Sequence, residues 1–516
     1  MSVEKFKSEV EAAYTFAGRS FMLGGAVYDK TPVTGTKVYM PLATVNRHGL
    51  IAGATGTGKT KSIQRFAEAL SELGVNVLLM DIKGDISGIS KAGEQNEKIV
   101  ERMRNIGAPW APTEYPTELM TISNEKGLRL RATVSEFGPV LFSKILELNE
   151  NQEGAVAVVF KYCDDKKLPL LDIKDFRAAL QYVTDGEGKA EVSQNYGAIS
   201  PTSSGVIMRK LLELETQGGD KFFGEKSFEV EDLLQKAPDG KAYINILRLT
   251  DIQDRPKLFS TFMLCLLAEI YSKFPEIGDK GTPKLAIFID EAHLIFKEAS
   301  PALMQQIETI IKLIRSKGVG VYFCTQAPTD IPDIILSQLG TKIQHALRAF
   351  TAKDRKDIKL VSENFPLTDY YQTDKIITEL GIGEALVTVL NEKGSPTPLV
   401  HTIMCAPQSR MDVLTPQEQD AKVASSALAR EYNEEIDRES AYEILNHKLA
   451  PQPVAEQEQE TRREPQETDD RARDISKTIK TIANSSVTKT IVREVTRGLL
   501  GVLIGKPPRS SSRRRY

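Results

Sequence analysis

One short run of residues has the types and spacing needed to hold phosphate groups. The run Gly53-Ala54-Thr55-Gly56-Thr57-Gly58-Lys59-Thr60 matches the pattern G-x-x-x-x-G-K-[ST]. Its glycines let backbone N–H groups point inward around the phosphates, and a helix that begins here adds the partial positive charge of its N-terminus. Lys59 is then expected to reach the β- and γ-phosphates, and the Thr60 hydroxyl to bind Mg²⁺. We therefore predict a site for ATP and Mg²⁺, with an ordinary glycine-rich turn as the alternative.

Two adjacent acids could supply the other half of such a site. Asp290 and Glu291 directly follow the apolar run Leu285–Ile289. The first acid can hold Mg²⁺ through water, and the second can polarise the water that attacks the γ-phosphate. Taken alone, two acids after a strand are more often a solvated strand end or a helix cap. Their combination with Lys59 favours the catalytic interpretation.

Gln326 and Arg315 are further candidates with weaker support. Gln326 follows the apolar run Val319–Cys324 and Thr325, which predicts that it lies at the end of a strand. At the carboxyl edge of a parallel sheet its amide could sense the γ-phosphate or orient water. A loop-capping amide is the alternative. Arg315 lies at the end of a predicted helix, where a cation is usually only a favourable partner of the helix dipole.

The elements around these residues follow a strand–helix–strand order. Leu50-Ile51-Ala52 reads as a buried strand, the segment from Lys59 to Leu73 has one apolar helical face, and Val75 to Met80 reads as a second buried strand. The same order recurs from Leu285 to Cys324, where Ser300-Pro301 predicts the start of the intervening helix. Two such units predict an α/β fold with a central parallel sheet covered on both faces.

Bulk properties narrow the class of protein only a little. The chain has 516 residues, 41% of them hydrophobic and 27% charged, with a net charge of −3, which neither demands nor excludes a nucleic-acid partner. The four cysteines stand far apart without metal-ligand spacing and are expected to be reduced thiols. No apolar run approaches the roughly 20 residues of a transmembrane helix, and the N-terminus lacks a signal-peptide pattern. We therefore expect a cytoplasmic protein.

The chain is expected to divide into seven stretches. The part between the two strand–helix–strand units is mostly helical in pattern, and the part after them turns polar. The tail has apolar residues at helical spacing followed by arginines, which fits an oligomer contact, a nucleic-acid or membrane-surface clamp, or a frayed basic tail. The predicted stretches are an N-terminal segment (1–45), the first part of the core (46–90), a helical insertion (91–238), the second part of the core (239–406), a helical extension (407–449), a disordered linker (450–474), and an amphipathic helix with a basic tail (475–516).

The order of the motifs resembles that of the HerA/FtsK group of ring-forming, DNA-pumping ATPases, most closely the bacterial HerA-like proteins of the YjgR type. The resemblance rests on the run from Gly53 to Thr60, on Met-Asp-Ile-Lys-Gly-Asp (80–85), on Phe-Ile-Asp-Glu-Ala-His (288–293) and on two later runs, 314–320 and 324–332. It implies a RecA-like P-loop core, a homohexamer and DNA as the substrate. It also implies that Arg315 is an arginine finger reaching the neighbouring subunit's nucleotide, and that Gln326 is the sensor. A nuclease or other protein partner stays unidentified.

Two functions remain open at this point, with a DNA translocase or helicase motor preferred. The alternative is a P-loop ATPase that remodels or regulates protein partners without moving DNA. A nucleotide-binding switch is disfavoured, because the chain has no Asn-Lys-x-Asp tetrapeptide and carries the acid pair. Residues 290–293 also spell Asp-Glu-Ala-His, but the other motifs of the helicases named after that run are missing, so His293 is interpreted as a packing or coupling residue.

Overall fold

The apolar runs interpreted as buried strands form the middle of one large sheet. The computed structural model describes residues 2–278, 282–297, 301–434, 436 and 438–449. The chain divides into two units, the first made of 1–132 and 212–436 and the second of 133–211 and the chain from 437 on. All strands given below belong to the first unit.

Twelve strands form this sheet in the order β2-β1-β12-β11-β10-β3-β9-β8-β4-β7-β5-β6. The strands are β1 (Ser20–Tyr28), β2 (Thr31–Pro41), β3 (Gly49–Ala52), β4 (Asn76–Asp81), β5 (Thr117–Thr121), β6 (Leu128–Arg129), β7 (Ile244–Arg248), β8 (Leu285–Ile289), β9 (Val319–Thr325), β10 (Thr341–Gln344), β11 (Glu384–Thr388) and β12 (Val400–Met404).

The sheet is mixed rather than purely parallel. From β10 to β6 every neighbouring pair is parallel, as predicted for the core. On the other side of β10, the strands β11, β12, β1 and β2 continue the sheet with antiparallel pairs. The prediction of a central parallel sheet was therefore correct for the part that carries the phosphate-binding run and incomplete for this extension. Antiparallel strands need no crossover helix between them, so the strand–helix–strand pattern did not reveal them.

Helices cover the sheet and form the second unit. They are α1 (Val3–Ala13), α2 (Lys59–Glu72), α3 (Glu97–Asn105), α4 (Val134–Ile145), α5 (Glu150–Lys166), α6 (Ile173–Thr184), α7 (Lys189–Asn195), α8 (Pro201–Thr216), α9 (Gly219–Phe222), α10 (Pro256–Lys273), α11 (His293–Lys297), α12 (Pro301–Ile314), α13 (Asp333–Leu336), α14 (Ala352–Glu363), α15 (Thr373–Glu379), α16 (Pro416–Ser425), α17 (Ala427–Asn433) and α18 (Ala441–Leu449). None of the helices in the described ranges is long and apolar enough to cross a membrane.

The two predicted strand–helix–strand units are present. The segment β3-α2-β4 has the predicted bounds to within one or two residues, and β4 is buried along its whole length. In β8-α12-β9, the isoleucines of α12 face inward and Gly318 ends the helical segment in a left-handed conformation. The predicted pair of Glu308 with Lys312 is also formed. These units bring the ends of β3, β8 and β9 to one edge of the sheet.

Aromatic side chains fix α2 against the sheet beneath the phosphate-binding run. Phe66 of α2 packs against Phe288 of β8 and Tyr322 of β9, with ring centroids 5.3 and 5.0 Å away. Phe288 and Tyr322 themselves stack at 4.8 Å. Because all three rings are buried, the helix that begins at Lys59 is held in a fixed position relative to the two strands that carry the candidate catalytic residues.

The second unit is helical and has its own core. Phe142, Phe160 and Phe176 pack together with ring centroids 4.9 to 5.9 Å apart. Helix α18 joins this unit through the Tyr442 amide, which donates to Asp175 at 2.8 Å. Within the stretch interpreted as one helical insertion, 91–238, β5 and β6 are strands of the main sheet and only 133–211 belong to the second unit. The domain boundaries stay a prediction, and the linker and tail predicted for 450–516 lie outside the described residues.

Candidate active site

The run from Gly53 to Thr60 forms a loop between β3 and α2. Gly56 and Gly58 have φ values of 78° and 103°, which side-chain-bearing residues rarely adopt. The loop is fixed by hydrogen bonds from the Gly53 amide to the Thr325 carbonyl at 3.2 Å and from the Ala54 amide to the Ala346 carbonyl at 2.9 Å. Gly58 caps α2 without a side-chain bond, so the first amides of the helix have no side-chain cap from this residue. This is the geometry of a loop that wraps phosphate groups.

Lys59 and the two predicted acids lie together. The Lys59 ammonium is 3.8 Å from Asp290 Oδ1 and 3.8 Å from Glu291 Oε1, and all three side chains are at least nine-tenths buried. They meet because β3 and β8 both pair with β9 in parallel, which brings the ends of the three strands to one edge. The structure thus brings the acid pair and Lys59 together, and their joint role in catalysis stays a prediction.

Glu291 has a strained backbone and many partners. Its φ is 45°, unusual for a residue with a side chain, and the following Ala292 amide is held by the Cys324 carbonyl at 2.9 Å. Gln326 Nε2 donates to Glu291 Oε2 at 3.4 Å, and His293 Nδ1 lies 3.3 Å from the same oxygen. Gln326 therefore lies beside the candidate base, at the carboxyl edge of the sheet, and His293 contacts that base; the predicted role of Gln326 as a sensor stays a prediction.

The two adjacent acids differ in their ease of ionisation. Burial raises the pKa of Asp290, and the charges of Lys59 and Lys83 only partly offset this effect. Burial acts on Glu291 in the same direction, but the hydrogen bond from Lys83 and the charges of both lysines outweigh it and lower its pKa. Glu291 is therefore the acid that the site holds firmly as a carboxylate.

The residues predicted to bind Mg²⁺ are suited to it. Both carboxylate oxygens of Asp290 are buried without a hydrogen-bond partner among the described residues. The Thr60 hydroxyl donates to Asp85 Oδ2 at 3.3 Å, so a third oxygen-bearing side chain stands at this place. In the described ranges no group of three or more His, Cys, Asp or Glu side chains could hold a metal alone. This agrees with the way Mg²⁺ is usually bound, by one or two protein oxygens together with waters and phosphates.

A turn after β4 supplies charged residues to which the sequence analysis gave no role. The Lys83 ammonium is bonded to Glu291 Oε1 and lies 3.9 Å from Asp290 Oδ2. The turn is built on Asp81, whose carboxylate accepts the amides of Gly84, Asp85 and Ile86 at 2.8 to 3.2 Å. Burial, reinforced by the charge of Asp85, raises the pKa of Asp81 to about 7. The signal was present in the run 80–85, but only the pairing of β4 with β8 places it beside the acids.

A second loop packs on the phosphate-binding run. The Gly383 amide donates to the Thr57 carbonyl at 2.9 Å, and a Cβ on Gly58 would lie 2.9 Å from the Gly383 nitrogen. Arg102 of α3 holds this loop through its guanidinium, which donates to the carbonyls of Ile382, Gly383 and Met404 at 2.7, 3.0 and 3.3 Å. Arg102 is thus a support for the site that no motif indicated.

Arg315 does not lie with the other predicted residues. It follows α12 and precedes β9, whereas Gln326 follows β9, and the seven residues of that strand span about 20 Å. Arg315 lines a cavity of about 620 Å³ near the beginnings of β3, β9 and β10. The cavity is rich in cations, since its other lining residues include Arg47, Lys312 and Lys342. Arg315 therefore belongs to the edge of the sheet opposite its own phosphate-binding loop.

Asn46 and His48 hold the backbone around Arg315. Asn46 Nδ2 donates to the Arg315 carbonyl at 3.3 Å. His48 Nδ1 accepts the Val321 amide at 3.0 Å, so its Nε2 carries the proton and donates to the Ile311 carbonyl at 2.9 Å. Burial lowers the pKa of His48 to about 4, which keeps the ring neutral. The position of Arg315 is therefore set by the fold.

Comparison with known proteins gives a family match over most of the chain. The family model described as "Helicase HerA-like C-terminal" matches residues 28–509. The DNA double-strand break repair helicase HerA of Saccharolobus solfataricus is 23% identical over 364 residues, which cover 66% of this chain and 61% of that protein. The DNA import protein CedB of Sulfolobus acidocaldarius is 23% identical over 360 residues, covering 69% and 52%. The chain thus spans half to three fifths of these relatives.

One solved structure aligns with most of this chain. The plasmid coupling protein TrwB in complex with ADP and Mg²⁺ aligns with a TM-score of 0.49 and 16% identity, over 78% of this chain and 98% of that one.

Proposed function

Because the chain belongs to the Helicase HerA-like C-terminal family, within the HerA/FtsK group of P-loop ATPases, we propose that it is an ATP-hydrolysing ring motor that translocates on or unwinds DNA. The observation that carries the proposal is the division of the candidate residues between the two edges of one sheet. Lys59, Asp290 and Glu291 stand together at the carboxyl edge, and Arg315 stands at the other. A site that needs all four is completed only by a second copy of the chain.

Each residue has a role in this proposal. Lys59 and the amides of the phosphate-binding loop hold the triphosphate, while Thr60 and Asp290 hold Mg²⁺. When bound there, Mg²⁺ would supply positive charge that offsets the negative charge of the phosphate oxygens. Glu291 orients and activates the attacking water.

The remaining two candidates respond to the terminal phosphate from different subunits. Gln326, beside Glu291, detects its presence, and Arg315 stabilises its charge in the neighbouring subunit. DNA is proposed as the substrate because the relatives named above are a DNA repair helicase and a DNA import protein. We also propose that the chain assembles as a homohexamer. Its proposed location is the cytoplasm, as expected from the sequence, where it would have access to DNA.

The test is ATP hydrolysis measured with and without DNA. We expect duplex or single-stranded DNA to raise the rate of phosphate release several-fold at low salt. Glu291→Gln is the matched control, because it keeps the shape of the side chain and removes only the carboxylate that acts on water. Hydrolysis that is unaffected by either form of DNA, together with no measurable DNA binding, would contradict the DNA motor.

That result would favour the alternative of an ATPase that acts on protein partners. The helical second unit, which has a core of its own, is the observation on the side of this alternative. It would be pursued by measuring whether the same hydrolysis rate responds to candidate proteins.

A further inference from the structure

Lys83 takes a place in the active site that mirrors that of Lys59. Both ammonium groups approach the same oxygen, Glu291 Oε1. They also flank Asp290, with Lys59 3.8 Å from Oδ1 and Lys83 3.9 Å from Oδ2. The two lysines therefore stand on either side of one acid pair.

The backbone around Lys83 is held by hydrogen bonds, while its side chain is partly exposed. The Asp81 carboxylate binds three successive amides of the turn, and Gly84 adopts a φ of 75° that the turn requires. A Cβ on Gly84 would lie 2.9 Å from Thr250 Cγ2, so the turn is also held from outside. In contrast, 33% of the Lys83 side chain is exposed, compared with 6% for Lys59. A partly exposed ammonium on a well-held turn suits a group that changes partner.

The chemistry of Glu291 requires such a change. A carboxylate that orients water needs an oxygen directed at that water, and a bonded ammonium makes it a weaker base. Oε2 is already approached by Gln326 and His293, and Oε1 by the two lysines. A bound triphosphate brings additional negative charge between the lysines, which draws both ammonium groups away from the carboxylate.

We propose that Lys83 is a second phosphate-binding lysine, which rests on Glu291 in the absence of nucleotide and contacts the γ-phosphate when ATP is bound. This inference rests on the proposed ATPase function. The contact with Lys83 distinguishes ATP from ADP in binding, because ADP lacks the γ-phosphate. Lys59 reaches both β- and γ-phosphates and does not make this distinction alone.

The experiment is a comparison of affinities for ADP and for the non-hydrolysable analogue ADPNP, both with Mg²⁺, by titration calorimetry on the full chain. The quantity to follow is the triphosphate preference, defined as the Kd of ADP divided by the Kd of ADPNP. Lys83→Gln should lower this preference by about tenfold, the value of one hydrogen bond to a charged group. Lys83→Arg should retain most of it, and Lys91→Gln, an exposed lysine beyond the turn, serves as the control for loss of charge.

Glu291→Gln separates a lysine that changes partner from one that only pairs with Glu291. If Lys83 moves to the phosphate, removing the carboxylate charge frees it, so Glu291→Gln should raise the triphosphate preference. Lys83→Gln should then cost more in the Glu291→Gln background than in the natural chain. In a static pair, Lys83→Gln would not cost more in the Glu291→Gln background than in the natural chain.

The outcomes separate this inference from the proposed function. An unchanged preference in Lys83→Gln, in a chain that binds both nucleotides, overturns the role of Lys83 alone. Absence of any nucleotide binding by the natural chain overturns both proposals. If circular dichroism shows that Lys83→Gln is unfolded, Lys83→Met takes its place: a lowered preference supports the role of Lys83, and an unchanged preference overturns it.

Discussion

Replacing Arg315 with alanine tests whether the active site is completed by a neighbouring copy of the chain. The variant should fold, because the contacts that fix this part of the backbone come from other residues. Asn46 binds the Arg315 carbonyl rather than its side chain, and His48 links Ile311 to Val321. The loss of one half-buried cation at a helix end should cost at most about 1 kcal/mol of unfolding free energy.

The effect on catalysis should be far larger. A finger that stabilises the transition state in trans contributes roughly 10³ to 10⁵ in rate, which corresponds to about 4 to 7 kcal/mol of activation free energy. Arg315 and the phosphate-binding loop of the same subunit lie at opposite ends of β9, whose seven residues span about 20 Å. Arg315 therefore cannot act on the nucleotide of its own subunit. Arg315→Ala should therefore bind ATP with nearly natural affinity in a calorimetric titration and release phosphate at least about a thousandfold more slowly.

The matched control is Lys317→Ala. Lys317 occupies the same helical end, carries the same charge and lies over the Tyr271 ring, 5.0 Å from its centroid. It does not line the cation-rich cavity, so its replacement should leave the hydrolysis rate within about threefold while costing similar stability.

Mixing variants tests the trans arrangement directly. In rings assembled from equal amounts of Arg315→Ala and Lys59→Ala subunits, about one quarter of the interfaces pair an intact Lys59 with an intact Arg315. Activity should then rise above that of either variant alone. Full activity of Arg315→Ala, or undiminished hydrolysis by a protein that light scattering shows to be a monomer, would refute the reasoning.

Three further substitutions and one salt titration test other parts of the site and the fold. Lys59→Ala should abolish hydrolysis and weaken ATP binding in a titration, because the ammonium that contacts the β- and γ-phosphates is lost. Glu291→Gln should bind ATP and hydrolyse none. Hydrolysis by Glu291→Gln at the wild-type rate would show that Glu291 is not the base. DNA affinity, measured by fluorescence anisotropy, should fall as salt is added, and the plot of log K against log salt concentration should have a slope of about −0.9 for each DNA phosphate contacted. An affinity that does not change with salt would exclude binding through the phosphate backbone of DNA. Glu68→Ala should lower the free energy of unfolding, measured by urea denaturation, by about 3 to 5 kcal/mol. The reason is that the buried Glu68 carboxylate binds Arg65 and the amides of Gln408 and Ser409. A change below about 1 kcal/mol would show that these bonds add little to stability.

The sequence was sufficient to predict the elements that carry the phosphate-binding run and the acid pair. Buried parallel strands read as continuous apolar runs, so β3, β4, β8 and β9 could be located within one or two residues. The meeting of Lys59 with Asp290 followed from the rule that parallel strands end at one edge. The antiparallel side of the sheet could not be predicted, because the pairing of β1 with β12 joins residues nearly 380 positions apart, such as Gly24 and Met404.

The roles of the residues that were missed depend on the order of the strands in the sheet. A lysine two residues after a strand reads as a solvated end unless β4 is known to pair with β8. Arg102 on α3 reads as an ordinary surface cation, and its three carbonyl partners lie about 280 to 300 residues away in the chain. Local patterns contain no information on such contacts.

The connection β8-α12-β9 gives one chain both halves of the proposed arrangement. The chain leaves β8 through Asp290 and Glu291 at the carboxyl edge, returns along α12 to Arg315 at the amino edge, and crosses again through β9 to Gln326. A two-fold dimer could complete both phosphate sites only if Arg315 and the phosphate-binding loop lay on one self-complementary surface, where each contact occurs twice. A head-to-tail interface instead sets the amino edge of one copy against the carboxyl edge of the next, and such an interface closes only as a ring. If Arg315 acts in trans across such an interface, each chain supplies one half of two neighbouring sites, and a ring is the closed form of that assembly.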